Sequence, residues 1–318
     1  MKYQALLLVV ACVGARADSL PQRLDRALSP KCRGSFSDAA VTVPESRFTM
    51  GSDRFYPEEG PPVPTHVRSF AIDAHEVTNR QFAQFVAATG YRTQAERPDG
   101  GAFVFTPPTQ PFVTPDPRLW WRYVRGATWR HPEGPASDIA RRDNHPVVNV
   151  TYADASAYAA WAGRALPNEE QFEAAARIGV SNPDQAPDIN QANTWQGSFP
   201  AADKGADGWR GATAPAGCFE RSPIGTYDLI GNVWEWTRSP YLPTHGAIVV
   251  GDGSPGDPGF DPRQPNVSAR VIKGGSFLCA SNYCAHFRPA ARHAQEETLA
   301  ASHLGFRTTE QVRQLENN

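Results

Sequence analysis

Two cysteines near the carboxyl end of this 318-residue chain, Cys279 and Cys284, are the side chains best suited to chemistry. Ser276 and Tyr283 add a hydroxyl and a phenol to the same segment. The spacing does not match the two-residue gap of zinc knuckles and thioredoxin-type motifs, and no further cysteine follows. Two thiolates without other ligands suit a soft ion such as Cu(I), and a local disulfide is the alternative interpretation. These residues alone leave both open.

Two other segments contain oxygen donors for a hard cation. Asp228 and Glu235 flank Gly231, so a tight turn could bring both carboxylates around an ion of the calcium type. Residues 193–197 and the later segment that begins at Asp207 make a second pair of oxygen-rich segments. Taken alone, both patterns are weak, because Asx residues often simply begin turns.

The histidines show no comparable pattern. None has the i, i+4 spacing of a zinc-binding helix, so we expect each to be a satisfied polar residue rather than a ligand; they are His131, His145, His286, His293 and His303. A serine hydrolase is disfavoured, because the Gly-x-Ser-x-Gly elbow is absent.

Short elements must position these groups. The 26 Gly and 29 Pro interrupt the backbone often, which indicates an irregular α+β fold. Alternating patterns predict strands at 48–51 and 66–72. From residue 179 onward no helical period is found, yet aromatic residues remain frequent. This half is therefore predicted to be an ordered, loop-rich region held by metal ions or disulfides.

Three helices are predicted from their end signals. The first is capped by Thr78 with Gln81 and stops at Gly90, the second covers 153–162, and the third runs from a cap at Asn168 to about residue 177.

The amino terminus predicts export. Lys2, the apolar run 5–13 and the small residues around 15–17 form a secretory signal too short to span a bilayer. Cleavage is expected near Asp18, and Cys12 in a lipoprotein-type box is the alternative. No second hydrophobic run is long enough for a membrane helix. The balance of 31 Lys plus Arg against 33 Asp plus Glu argues against nucleic acid as a partner.

These observations divide the chain into four parts. Residues 1–17 are the signal peptide, 18–43 an arm, 44–310 one domain and 311–318 a tail. Four cysteines remain after the signal is removed, and in an oxidising compartment a disulfide is their default state.

Ordered motifs from residue 48 to residue 307 resemble those of the formylglycine-generating enzymes, also called sulfatase-modifying factors. They include Phe-Thr-Met-Gly-Ser (48–52), Glu-Val-Thr-Asn (76–79), Asn-Thr-Trp-Gln-Gly (193–197), Gly-Asn-Val-Trp-Glu-Trp (231–236), Gly-Gly-Ser (274–276) and Leu-Gly-Phe-Arg (304–307). The resemblance implies a single, loop-rich α+β domain related to C-type-lectin-like folds.

The resemblance also implies an activity and a set of site residues. The family's thiols bind Cu(I) and use O2 to convert a cysteine in a sulfatase Cys-x-Pro-x-Arg motif to Cα-formylglycine; these positions match Cys279 and Cys284. Family positions that line the oxygen and substrate pocket match Ser276, Tyr283, Trp234 and Arg292. Two Ca²⁺ sites correspond to Asn193, Thr194, Asp207 and Trp209, and to Asp228, Gly231, Val233 and Glu235.

Some positions depart from the family pattern. His303 stands where the family typically has Asn, segment 293–299 is altered, and residues 181–187 replace the usual loop before the first calcium site. The family's structural disulfide cysteines are missing, which leaves Cys32 and Cys218 available to bridge each other.

Two rival hypotheses remain. One is an exported oxidase acting on a small molecule, as in periplasmic proteins that resemble this family and mature the siderophore pyoverdine. The other is a lectin-like binding module without catalysis. The fold alone cannot decide among them.

Overall fold

Three α-helices form in the computed structural model, which describes residues 32, 38–108, 116–182, 184–185, 187–188, 190–245 and 259–311. They are α1 (Asn79–Thr89), α2 (Tyr152–Trp161) and α3 (Glu169–Arg177). The three predicted helices are therefore confirmed. Each begins with a reciprocal capping box, which satisfies free backbone N–H groups. Gly90 ends α1 in the left-handed region, with a φ of 68°.

The strands are short and spread over the whole chain. In the first half they are β1 (Ala40–Val43), β2 (Ser46–Met50), β3 (Val63–Val67), β4 (Phe70–Asp73), β5 (Gly101–Phe105) and β6 (Trp121–Arg125). In the second half they are β7 (Gly197–Ser198), β8 (Ala202–Asp203), β9 (Trp234–Pro240), β10 (Gly259–Asp261), β11 (Gln264–Lys273), β12 (Arg292–Glu296), β13 (Leu304–Gly305) and β14 (Thr309–Gln311). The predicted loop-rich α+β class is therefore confirmed.

The strand predicted at 66–72 is wrong as a single element. Residues 68 and 69 interrupt it, and the two parts belong to different sheets. β3 forms a hairpin with β2, whereas β4 lies between β1 and β14. The Ser69 hydroxyl donates a hydrogen bond to the Val43 carbonyl at 3.0 Å, which helps to fix the chain where it changes partners.

A second sheet positions the cysteine segment. Its long strand β11 pairs antiparallel with β12 on one side and with β9 and β10 on the other, while β13 adds to β9 in parallel. The carboxyl end of β11 leads directly into the segment that contains both cysteines. Two of the predicted site residues lie on neighbouring strands, Trp234 at the start of β9 and Arg292 at the start of β12.

The main hydrophobic core lies between α1, α2 and this sheet. Phe82 contacts Trp129 edge-on, with ring centroids 5.3 Å apart, and Phe306 and Trp236 are fully buried beside them. Cys279 belongs to the same cluster and is itself fully buried. The inner cysteine is thus part of the packed core rather than of a surface loop.

A disulfide joins Cys32 to Cys218, a sequence separation of 186 residues. The sequence had left this bond as one possibility, and it ties the amino-terminal segment to the domain. The last residues of the predicted arm are also integrated, since β1 pairs with β4 and Val43 is fully buried. The four-part division of the chain itself stays a prediction.

Among the described residues, no helix has both the length and the apolar composition needed to cross a membrane. The predicted signal peptide and Cys12 lie outside the described residues.

Candidate active site

A tight backbone turn brings Cys279 and Cys284 together. The N–H and carbonyl of Ala280 both bond to Cys284, each at 3.0 Å, and close the intervening segment into a short loop. Upstream, Gly275 has a φ of 74°, and a Cβ there would lie 2.8 Å from the His286 carbonyl oxygen and 3.3 Å from Cys279 Sγ. Glycine therefore allows the backbone to pass close to the sulfur atoms.

The two sulfur atoms are close but not bonded to each other. Cys279 Sγ lies 3.2 Å from Cys284 Sγ, and both cysteines are free. Cys279 is fully buried, whereas Cys284 is half-buried and faces the surface side of the pair. The pair thus lies at the edge of the core, with Cys284 nearer the solvent.

The surroundings favour one thiolate and one thiol. Burial raises the pKa of the Cys279 thiol well above its usual range. The hydrogen bond from Cys279, together with the contact to His286, holds the pKa of Cys284 well below its usual range. These shifts favour the thiolate on Cys284, which is the form that acts as a metal ligand or nucleophile.

His286 is a site residue that the sequence analysis missed. Its Nδ1 lies 3.1 Å from Cys284 Sγ, and its ring stacks on Tyr56 with centroids 4.1 Å apart. Burial lowers the pKa of His286, but the contacts with Cys284 and Glu58 outweigh it and raise the pKa to about 9. The expectation that His286 is a polar residue with a partner rather than a ligand stays a prediction, but its partner is a cysteine of the candidate site. The available signal in the sequence was its position two residues after a cysteine.

The other predicted pocket residues divide into two groups. Ser276 is buried beside the cysteines, and its backbone N–H donates to Cys279 Sγ at 3.4 Å. Trp234 lies next to His286, with ring centroids 5.7 Å apart. Ser276 thus touches the thiol pair directly, and Trp234 reaches it through His286.

Tyr283 and Arg292 are held by other partners. Tyr283, which precedes Cys284 in the chain, is 43% exposed and stacks on Phe199 with ring centroids 4.6 Å apart. Arg292 is almost fully buried, and its Nε donates to Glu169 Oε1 at 2.7 Å. Its guanidinium is thus occupied by a structural ion pair.

His303, which departs from the family pattern, contacts Trp121 with ring centroids 4.7 Å apart. Its Nδ1 is buried and has no hydrogen-bond partner among the described residues. Burial and the nearby His293 lower the pKa of His303 to about 3, so its imidazole is neutral.

The first set of predicted calcium ligands converges in the structure. The Asp207 carboxylate accepts hydrogen bonds from the Trp209 N–H at 2.9 Å and from the Thr194 N–H at 3.3 Å. The neighbouring Asn193 has a buried Oδ1 without a hydrogen-bond partner. Burial raises the pKa of Asp207 to about 7. A half-buried carboxylate near an unpartnered amide oxygen fits a hard cation.

The second set fits a cation only in part. Asp228 Oδ1 is buried without a hydrogen-bond partner. Glu235, in contrast, accepts hydrogen bonds from Arg307 on both carboxylate oxygens, at 2.7 Å each. Gly231 and Val233 are buried or half-buried between them. Within the described residues, no three His, Cys, Asp or Glu side chains are arranged to hold a metal ion.

Comparisons with known proteins agree with this geometry. Residues 25–312 match the sulfatase-modifying factor enzyme 1-like domain. The formylglycine-generating enzyme of Mycobacterium tuberculosis is 45% identical over 84% of this chain and 96% of its own length. The formylglycine-generating enzyme of Mus musculus is 40% identical over 84% of this chain and 73% of its own length.

A solved structure, PvdO from Pseudomonas aeruginosa, shares the fold. It superposes with a TM-score of 0.60 at 22% identity and covers 89% of this chain and 96% of PvdO. This likeness concerns the fold alone. The domain match and the two sequence relatives go further, and they show that the chain belongs to the formylglycine-generating enzyme (sulfatase-modifying factor) family and is an oxidoreductase.

Proposed function

We propose that the chain is a copper-dependent oxidase that uses O2 to convert a cysteine in a sulfatase Cys-x-Pro-x-Arg segment to Cα-formylglycine. The observation that carries this proposal is the pair of free sulfur atoms of Cys279 and Cys284, 3.2 Å apart at the edge of the core. The relatives named formylglycine-generating enzymes support the substrate.

The donor set fits Cu(I). Thiolates are soft ligands, and two of them in one short turn suit an ion that accepts low coordination numbers. When bound between Cys279 and Cys284, copper would supply the electron transfer to O2 that removal of hydrogen from a cysteine methylene requires.

The chain's own residues prepare the site. The Ser276 N–H donates to Cys279 Sγ and holds the buried sulfur in place. His286 contacts the sulfur of Cys284, which is the more accessible of the two. Trp234 packs near His286, while the half-buried position of Cys284 leaves room for a substrate thiol.

The reaction balances with a thiol reductant as co-substrate. The Cβ–S bond of the substrate breaks, a carbonyl forms, and the sulfur leaves as hydrogen sulfide. Oxidation of the substrate yields two electrons, and the reductant supplies two more, because full reduction of O2 takes four. The products are the aldehyde, hydrogen sulfide, water and the oxidised reductant.

A peptide assay tests the proposal. We expect the copper-loaded protein, given O2 and a thiol reductant, to convert a Cys-x-Pro-x-Arg peptide to the aldehyde, which mass spectrometry detects. A peptide with serine in place of the cysteine is the matched control and should stay unchanged. Absence of aldehyde, with conversion of a siderophore precursor instead, would replace the sulfatase substrate with a small molecule.

We also propose that Ca²⁺ binds at Asn193, Thr194, Asp207 and Trp209, and more weakly near Asp228. Removing Ca²⁺ with a chelator is expected to lower the Tm by about 5–10 °C, because a ligand at a hundredfold its Kd contributes ~2.7 kcal/mol to stability. Differential scanning calorimetry with and without Ca²⁺ measures this shift.

Two aspartate variants make that test specific. Asp207→Asn should remove most of the response to Ca²⁺, because it weakens the charged ligand. The exposed Asp138 accepts a hydrogen bond from the Ala140 N–H, and Asp138→Asn should respond to Ca²⁺ like the wild type. An equal response in both variants would contradict the assignment.

We propose, finally, that the protein works outside the cytosol. The Cys32–Cys218 disulfide supports this location, because disulfides persist in oxidising compartments. The predicted signal peptide points the same way.

A further inference from the structure

We propose that His286 is a positioning residue for Cys284: its Nδ1–H donates a hydrogen bond to the sulfur and fixes it beside Cys279. The Nδ1 to Sγ distance is 3.1 Å, and among the described residues Cys279 and His286 are the polar partners of the Cys284 sulfur. Without the imidazole, Cys279 would be the one polar partner left to the Cys284 sulfur among the described residues.

A short segment holds the imidazole in this orientation. Tyr56 stacks on the ring, nearly parallel at 7°, and its hydroxyl oxygen accepts a hydrogen bond from the Ala285 N–H at 3.1 Å. Glu58 Oε1 lies 3.6 Å from Nε2, beyond hydrogen-bond distance but within range of an ion pair. The residues come from the 3₁₀ turn Pro57–Glu59 and the residue before it.

The same segment is anchored on both sides of His286. Glu59 forms a buried ion pair with Arg288, and the Glu58 carbonyl accepts a hydrogen bond from Arg292 at 3.1 Å. Contacts to Ala285, His286 and Arg288 therefore come from Tyr56, Glu58 and Glu59, which lie within four successive residues. This arrangement orders the backbone immediately after Cys284, and it gives the imidazole a fixed position.

Hydrogen bonding and metal ligation are distinct roles for the same nitrogen. As a donor, Nδ1–H would hold the thiolate and leave the open side of the pair to the substrate. As a third ligand, Nδ1 would itself occupy a coordination position. We favour the hydrogen bond, because Tyr56 stacking fixes the ring with Nδ1 already at hydrogen-bond distance from the sulfur.

Three variants of the full chain test the proposal, which rests in part on the proposed copper site. His286→Asn keeps an N–H donor near the position of Nδ1, His286→Leu removes it, and His131→Leu is a histidine control remote from the cysteines. His131 Nδ1 bonds to the Ser137 carbonyl. The readouts are Cu(I) affinity by competition with a chromophoric chelator, copper X-ray absorption, and crystal structures of the reduced, metal-free proteins.

We expect His286→Leu to weaken Cu(I) binding by about 10–100-fold, as is typical when a partner of a metal ligand is removed. His286→Asn should recover most of this loss, and His131→Leu should match the wild type. In the metal-free crystals, the Cys284 sulfur should leave its position near Cys279 in His286→Leu but not in His286→Asn.

Three results would overturn the inference. The first is an unchanged Cu(I) affinity and sulfur position in His286→Leu. The second is a failure of His286→Asn to recover the loss. The third is a nitrogen ligand to copper that disappears in His286→Leu, which would make His286 a ligand. Failure of the proposed function looks different. If the wild type binds no copper or leaves the peptide unconverted, the sulfur positions in the metal-free crystals still decide the role of His286.

Discussion

Replacing Cys279 or Cys284 with serine is expected to lower kcat/KM for the Cys-x-Pro-x-Arg peptide by at least about 10³-fold, because both residues act as one unit. A serine hydroxyl is a hard, protonated group that does not replace a soft thiolate ligand. Cu(I) titration should show weaker binding in both variants. Steady-state kinetics with copper supplied in excess measures the loss in activity.

The disulfide cysteines provide a matched control. Cys218→Ser breaks the bond to Cys32 and lowers stability by about 2–5 kcal/mol, but it leaves the free thiol pair intact. Assayed below its unfolding temperature, this variant should keep a kcat/KM close to that of the wild type. If Cys279→Ser bound Cu(I) as tightly as the wild type, the two-thiolate site would have to be abandoned.

The sequence predicted those features that depend on neighbouring residues. The helix caps join residues three positions apart, as Thr78 and Gln81 do, so the pattern of side chains is enough to find them. The cysteine pair was found for the same reason, because one turn closes it. Family motifs then supplied roles for Ser276 and Trp234, and these roles stay predictions.

The features that the sequence did not predict depend on long-range contacts. Tyr56 reaches Ala285 across 229 positions, and Glu169 reaches Arg292 across 123. No local period marks such pairs. The sequence analysis therefore assigned no role to the segment around Glu58, although it packs against His286, the neighbour of the Cys284 sulfur.

The long-range contacts of Arg292 change the interpretation of its role in the site. The resemblance implies that it lines the pocket, but its guanidinium is held by Glu169 and by the carbonyls of Glu58 and Leu242. Through Glu58 it is linked to the segment that positions His286. Its effect on the site would then be indirect, and the stability of its ion pair becomes important for activity.

Glu169→Gln is accordingly expected to cost about 3–5 kcal/mol of unfolding free energy, because it leaves the buried Arg292 without its carboxylate partner. Glu169 accepts from Arg292 Nε at 2.7 Å and Nη2 at 3.0 Å, and Lys273 Nζ lies 3.8 Å away. All three side chains are nearly or fully buried. Denaturant unfolding monitored by tryptophan fluorescence measures the change.

The pH dependence gives an independent check on this ion pair. Although burial alone would raise the pKa of Glu169, Arg292, His245 and Lys273 hold it well below its usual range. Its contribution to stability is therefore complete above the pKa of an unfolded glutamate and is lost as the pH falls. Glu169→Gln should thus be destabilised most near neutral pH and approach the wild type in acid.

Glu45 provides the matched control for the same substitution. It is exposed and pairs with His66 at 2.8 Å, so Glu45→Gln should change the unfolding free energy by no more than about 1 kcal/mol. If Glu169→Gln were equally mild, its carboxylate would not be needed to balance the buried Arg292. Arg292 joins Glu169 of α3 to the Glu58 carbonyl. Packing rather than the ion pair would then have to hold this connection, and activity should survive the substitution as well.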